Sequence, residues 1–388
     1  MVMQQNHRAK YADSANSVPR YDRILVRTEM RRRQFIKAGM GVAAATPLGW
    51  HIANAQQGQA TMRSAGASRN ILVGSAISNV QLHDEQAAQI VARQCGIVAP
   101  QTEMNWATIH PERATYDFAM ADELANFAAK NSMKVRGRNL CWHGDPPQWL
   151  KEELSPENAA DVLRHHIHTV VGRYAGRVHS WDVLNEAVDP GSLRDDAMRD
   201  SIWMQLIGPE YIRLAFRTAA QTDRRALLVY NESGLEGQGG GNDRKRDLTI
   251  GFLKWMRKNR IPIDAIGMQS HFRPSYGPFP DWVGLTAFIR EVRKLELQVI
   301  ITELDIDDSA YPGDREKQAK QAGEFCSDFL RHVLKFSHVS CVMSWGMISY
   351  STQFKDELGN VQHMCLPYDE KFQPTPVLDA YVSAIQKP

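Results

Sequence analysis

Along residues 71–385 the apolar positions fall into short continuous runs separated by longer stretches of helical period. The runs Ile71–Ser78, Gly96–Glu103, Lys134–His143, Ser180–Glu186, Ala226–Asn231, Ala265–His271, Gln298–Asp305 and Ser340–Gly346 predict eight strands. Val299, Ile300 and Ile301 are adjacent and apolar, as in a parallel strand buried on both faces. Helical patterns lie between and after the runs, at Asp84–Gln94, Ala121–Lys130, Pro156–Tyr174, Tyr211–Thr222, Asp243–Asn259, Trp282–Leu295, Arg315–Phe336 and Thr375–Ile385. In Ala121–Lys130, for example, Leu124, Phe127 and Ala128 share one face at three- and four-residue spacing. Strands alternating with helices in this way predict an α/β fold, a single (β/α)8 TIM barrel with right-handed crossovers. A doubly wound open sheet is the competing architecture, but no Gly-x-Gly-x-x-Gly follows the first strand.

Composition narrows the picture. The 388 residues carry 46 Lys and Arg against 44 Asp and Glu, a net charge of +2, which argues against a nucleic-acid footprint. Five cysteines, none in a C-x-x-C pair, exclude a disulfide scaffold and a zinc knuckle. Most read as buried fillers, although one pair could oxidise after export. The segment from Met30 to Gln57 sets Arg31, Arg32 and Arg33 before Phe35, Ile36 and Lys37. An apolar stretch and the small-x-small site Ala53-Asn54-Ala55 follow. It resembles a twin-arginine export signal. Its apolar run is well short of the ~20 residues a membrane span needs. The expected organisation is an N-terminal extension and signal over 1–55, a short leader over 56–69 and a catalytic domain over 70–388. Met30 is the expected true start. The expected product is an exported monomer, periplasmic or secreted, with no membrane span.

In a barrel of this kind, reactive side chains gather where strands meet the loops that follow them. The predicted strand ends are rich in carboxylates, His and Trp: Trp142 and His143 after the third, Asn185 and Glu186 after the fourth, Gln269 and His271 after the sixth. Glu303 and Asp305 follow the seventh, and Trp345 the eighth. Two glutamates facing one another across a barrel mouth can hydrolyse a glycosidic bond, one protonating the leaving oxygen and the other attacking the anomeric carbon. Repulsion between them raises the pKa of whichever keeps its proton. Aromatic rings suit the apolar face of a sugar. A lone Glu after an apolar strand is more often a solvated loop residue. Two of them, with His and Trp at further strand ends, point to a site.

Here the sequence resembles glycoside hydrolase family 10, the barrel xylanases. The resemblance rests on His166–Val188, Ile263–His271, Ile300–Ile306, Arg136–Trp149 and Leu366–Pro376, in order along roughly residues 70 to 385. It implies that Glu186 is the general acid/base and Glu303 the nucleophile. It implies that Asn185 holds the sugar 2-hydroxyl, and that His271, oriented by Asp305, keeps Glu303 ionised. It further implies that His143, Gln269, Trp142, Trp345 and Asn105 contact substrate, with no metal and no cofactor. The implied reaction is retaining hydrolysis of internal β-1,4-xylosidic bonds of xylan.

The resemblance is broken in places. The family's second-strand pattern Glu-Asn-x-Met-Lys-Trp reads Gln101-Thr102-Glu103-Met104-Asn105-Trp106 here, so three sugar-contacting residues differ, and Glu103 falls on the variable position. Each lost charge-assisted hydrogen bond is worth about 1.5–3 kcal/mol if nothing replaces it. Ser349 and Gln353 stand where the family usually has an Asp and a second Trp, and Arg138 where it commonly has His. Two alternatives follow, a related β-glycanase acting on glucan or oligosaccharides and a non-catalytic carbohydrate-binding barrel. Elsewhere, His165, His166 and His168 read as exposed or capping residues of an amphipathic helix rather than a metal site. Asp305, Asp307 and Asp308 lack EF-hand spacing.

Overall fold

The computed structural model describes residues 60–273, 280–309, 311–349, 354–355 and 361–387. The export segment and Gln353 lie outside them. The strands are β1 (Leu72–Ile77), β2 (Ile97–Pro100), β3 (Lys134–Gly137), β4 (Ser180–Asn185), β5 (Leu227–Glu232), β6 (Ala265–Met268), β7 (Gln298–Ile306) and β8 (Val339–Ser344). Each pairs in parallel with its sequence neighbour, and β8 pairs with β1, so the sheet closes into the predicted eight-stranded barrel. The outer helices are α1 (Glu85–Gln94), α2 (Ala119–Lys130), α3 (Ala159–Arg173), α4 (Glu210–Thr222), α5 (Gly240–Lys258), α6 (Trp282–Lys294), α7 (Arg315–Val333) and α8 (Pro376–Gln386).

Local chemistry sets several helix starts. The side chains of Asp84, Asp281 and Asp314 accept from backbone N–H groups of Ala87, Gly284 and Lys317, satisfying donors that the first turn leaves open. Thr375 does the same for α8, whose first residue is Pro376. Helix α5 begins at Gly240, three residues ahead of the expected start at Asp243. Gly239 supplies the turn with a φ of 103°.

Two apolar layers form. The larger fills the space between barrel and helices. The smaller lies within the barrel, where Ile97, Ala99, Val229, Ile300 and Met343 meet. The interior also holds a fully buried ion pair, Arg136 with Asp182, in which Nε donates to Oδ1 at 3.1 Å and a second guanidinium nitrogen meets Oδ2. All five cysteines are buried and free. Among the described residues, no helix is long and apolar enough to cross a membrane.

Some features depart from the expectations. Strands β2 and β3 stop at Pro100 and Gly137, short of the expected ends at Glu103 and His143. Within the stretch read as leader, Met62–Ala67 forms a short helix whose Met62 and Ala65 are buried. The Met62 N–H donates to Gln94 at 3.0 Å, and Arg69 donates to the Ile385 carbonyl at 3.2 Å. His166 is fully buried rather than exposed, stacked on Trp106 at 3.4 Å between ring centroids. Its Nδ1 lies 3.2 Å from Nδ1 of His110. Because His110 Nε2 faces the Arg113 carbonyl at 3.1 Å and must donate there, His110 Nδ1 accepts from His166, and both rings are neutral.

Candidate active site

The register of β4 changes between Asp182 and Leu184, which brings Asn185 opposite Asn231 of β5. Glu186 follows directly and sits in left-handed backbone, φ 53°. For a residue with a β-carbon that conformation costs about 1–2 kcal/mol. It is held there by its own N–H donating to the Asn231 carbonyl at 2.9 Å and by Arg199 Nε donating to its carbonyl at 2.9 Å. The side chain is thereby aimed into the mouth. Its Oε1 accepts from Gln269 Nε2 at 2.8 Å and Asn185 Nδ2 at 3.2 Å, and its Oε2 accepts from Trp142 Nε1 at 3.0 Å. His143 Nε2 stands 3.9 Å from Oε2.

Glu303 projects from β7 on the other side. Its Oε1 accepts from Asn231 Nδ2 at 2.8 Å and lies 3.5 Å from an Arg138 guanidinium nitrogen. Its Oε2 lies 3.2 Å from His271 Nε2, and His271 Nδ1 lies 2.9 Å from Asp305 Oδ1. With carboxylates at both ring nitrogens, the ring donates twice and is an imidazolium. Strand six makes this possible: it breaks at Gln269 and Ser270, resumes at His271–Phe272, and pairs His271 with Asp305. Arg273 donates to the same Asp305 oxygen at 2.7 Å.

Asn231 joins the two halves. The same Nδ2 that donates to Glu303 donates to Asn185 Oδ1 at 2.8 Å, while Thr302 donates to its Oδ1 at 2.7 Å. A continuous path of hydrogen bonds therefore runs from Glu186 through Asn185 and Asn231 to Glu303. Gly267 keeps that path open. A β-carbon there would stand 2.4 Å from Asn231 Oδ1 and 2.9 Å from Thr302.

The electrostatics differ between the two carboxyls. Burial works to raise Glu303, but Arg138 and His271 outweigh it and hold the carboxyl at about 2. Burial also works to raise Glu186. His143 and the donors Gln269 and Trp142 pull it below its ordinary value, against that burial and the repulsion of Glu303. Burial pushes His143 down to about 4. His271 resists its own burial through Asp305 and Glu303 and rises to about 9.

These shifts predict how stability depends on pH. His110, His143 and His166 are depressed by burial, so the stability they contribute is present above their unfolded value of about 6.5 and is lost as pH falls below it. The raised His271 contributes stability below about 6.5 that is lost as pH rises toward 9. Denaturant midpoints measured from pH 4 to pH 10 are expected to peak near neutrality, and a flat profile would contradict these assignments.

The structure brings Glu186, Asn185, Trp142, His143, Gln269, His271, Glu303 and Asp305 into one cluster. Trp345 lies beside it, edge-on to His271 at 6.2 Å. Asn105 is buried at the cap of the short helix Trp106–Ile109, and its Oδ1 has no hydrogen-bond partner among the described residues. Sequence reasoning missed Asn231, whose only signal is an amide ending an otherwise apolar strand, and Arg273. Glu103 accepts from the N–H groups of Asn79 and Thr102 at 3.0 Å each, a structural duty. Among the described residues, no group of three or more His, Cys, Asp or Glu is placed to hold a metal.

Comparison with known proteins identifies relatives of the chain. The family model described as glycosyl hydrolase family 10 matches residues 61–384. Endo-1,4-beta-xylanase B of Thermotoga neapolitana is 33% identical over 330 residues, 81% of this chain and 88% of the relative. Endo-1,4-beta-xylanase B of Paenibacillus barcinonensis is 32% identical over 63% of this chain and 71% of its own length. Among solved structures, xylanase 10B of Thermotoga petrophila in complex with xylobiose superposes with a TM-score of 0.74 at 31% identity, covering 85% of this chain and 98% of that one.

Proposed function

The chain belongs to glycosyl hydrolase family 10, and from that premise we propose that it is a retaining endo-β-1,4-xylanase. The observation that carries the reading is the hydrogen-bonded path linking Glu186 to Glu303 across the barrel mouth. In this reading Glu303, ionised and fixed by Asn231 and His271, attacks the anomeric carbon. The bond to the glycosidic oxygen breaks, and Glu186 supplies the proton that the leaving oxygen takes. Glu186 must first acquire that proton. Substrate in the cleft takes Gln269 for its own hydroxyls and excludes water. Burial and the charge of Glu303 then dominate, and both favour the protonated acid. In the second half Glu186, now a base, takes a proton from water, the water oxygen bonds to the anomeric carbon, and the electron pair of the ester bond returns to Glu303. Two inversions give net retention, and no cofactor is needed.

Asn185, His143, Trp142 and Trp345 are assigned to hold the sugar at the cleavage point. The changed Gln101, Thr102 and Asn105, with the unpartnered Asn105 Oδ1, favour a second reading on the same chemistry: a β-1,4-glycanase with relaxed or shifted preference. Export through the twin-arginine route, with removal of residues 1–55, is supported by the order of basic cluster, apolar stretch and Ala53-Asn54-Ala55. One preparation tests these readings. The exported protein, its N-terminus sequenced, is given xylan and β-glucan and its products are followed by NMR. The expected outcome is a chain starting at Gln56 that releases xylooligosaccharides with new β-configured ends. Preference for glucan would replace the first substrate reading with the second.

A further inference from the structure

Arg138 occupies an unusual place for a buried cation. It lies at the mouth end of β3, nearly inaccessible, with its Cζ 4.3 Å from the centre of the Trp345 ring. One nitrogen donates to the Gln101 carbonyl at 3.3 Å, another faces Glu303 Oε1 at 3.5 Å, and Nε stands 3.8 Å from Asp182. Both oxygens of Asp182 are already engaged by Nε and one terminal nitrogen of Arg136. The carboxylate left for Arg138 to face most closely is Glu303, whose other oxygen meets His271. The other charged groups facing Glu303 are His271 from the sixth strand, with Asp305 and Arg273 behind it, Glu186 from the fourth, and Arg136 deeper in the barrel. His271 loses its charge when pH rises, whereas a guanidinium does not titrate in the working range.

We propose that Arg138 is a positioning residue for the nucleophile, a permanent counter-ion that stabilises Glu303 whenever it is a free carboxylate. The proposal deepens the hydrolase reading and assigns a role on which that reading does not depend. Arg138 favours the carboxylate before attack and favours it again as the leaving group of the second step. During glycosylation the carboxylate charge is lost as the bond to the anomeric carbon forms. During deglycosylation, as water adds and that bond breaks, its electron pair returns to the carboxyl group that Arg138 faces. Removing the cation therefore slows the second step more than the first. A residue with a merely structural role would show no such asymmetry. The fixed position on Trp345 also keeps the cation in place above the pH at which His271 becomes neutral.

The test compares wild type with Arg138→Gln and Arg138→Lys, with Arg138→Met as the second neutral variant should the glutamine protein not fold. Carbon-detected NMR titration of glutamate carboxyls in the free protein reads Glu303 without any substrate. Its midpoint is expected to rise by about one to three pH units in the neutral variants and to stay near wild type in Arg138→Lys. With an aryl β-xylobioside, the neutral variants are expected to accumulate glycosyl-enzyme, with kcat and KM falling together by on the order of tenfold. A Glu303 titration unchanged in the neutral variants would overturn the proposal, as would a fall in kcat/KM with no accumulation. A moved titration in a protein that hydrolyses no xyloside would overturn the hydrolase reading and leave the counter-ion role standing.

Discussion

Replacing Glu303 by alanine is expected to lower kcat on xylan on the order of 10⁴-fold. Azide is expected to restore part of the activity on an activated aryl xyloside, giving a product of inverted configuration. No other carboxylate can take over. Asp182 is held by Arg136, and Asp305 is held by His271 and Arg273. The truncation leaves a small space lined by Arg138, His271 and Asn231, three groups that donate to an anion. Azide bound there attacks from the side Glu303 occupied, so one displacement occurs instead of two. Glu186→Ala is expected to fail differently. Xylan, with a poor leaving group, loses nearly all turnover, while an activated aryl xyloside still forms glycosyl-enzyme. Azide then captures that intermediate from the opposite side, so the glycosyl azide keeps the substrate's configuration. NMR of the two azide products decides the assignment. The two configurations swapped between the variants would exchange the roles, and the same configuration from both would dismiss them.

The second large effect concerns stability. Asp182→Ala is expected to lower the unfolding free energy by about 3–5 kcal/mol, read as a fall in the urea midpoint. Asp182 and Arg136 have no exposed side-chain surface, so the deletion strands a guanidinium inside the barrel without water. Arg138, whose Nε stands 3.8 Å from Asp182, would lose a neighbouring carboxylate as well. Replacing Arg136 and Asp182 together by Met and Leu is expected to recover much of the loss, because apolar groups of similar volume need no partner. A single alanine variant as stable as wild type would show that the pair contributes little.

Much of this was legible in the chain. The eight apolar runs and the amphipathic stretches between them have periods long enough to read, and they specify the barrel. Carboxylates at the ends of β4 and β7 stand out because such residues are costly after buried strands. The short helices Met62–Ala67, Asn79–His83, Trp106–Ile109, Gln148–Glu153 and Ile202–Ile207 were not legible. Fewer than two turns carry no recognisable period. The ends of β2 and β3 were overrun because the residues beyond them, Gln101–Glu103 and Arg138–His143, carry no turn signal to mark where the ladder stops. Asn231 and Arg138 were missed as partners of Glu303 for a deeper reason. Their side chains cross the inside of the barrel, from β5 past Gly267 and from β3 toward β7. Which residues meet there depends on strand tilt and register around the closed sheet, which no local pattern encodes. His166 was misread because a polar residue on an amphipathic helix ordinarily faces solvent, and only the stack with Trp106 and His110 reverses that.

The left-handed turn at Glu186 has an evolutionary corollary. Glycine or asparagine would occupy that backbone at lower cost, so backbone conformation alone gives no reason to keep a glutamate there. Its reasons lie in the carboxylate's partners and in turnover. A lineage released from selection for sugar breakdown would be free to relax this position early, gaining durability as it lost its trade, and descendants of this chain that drift into other work should carry that mark first.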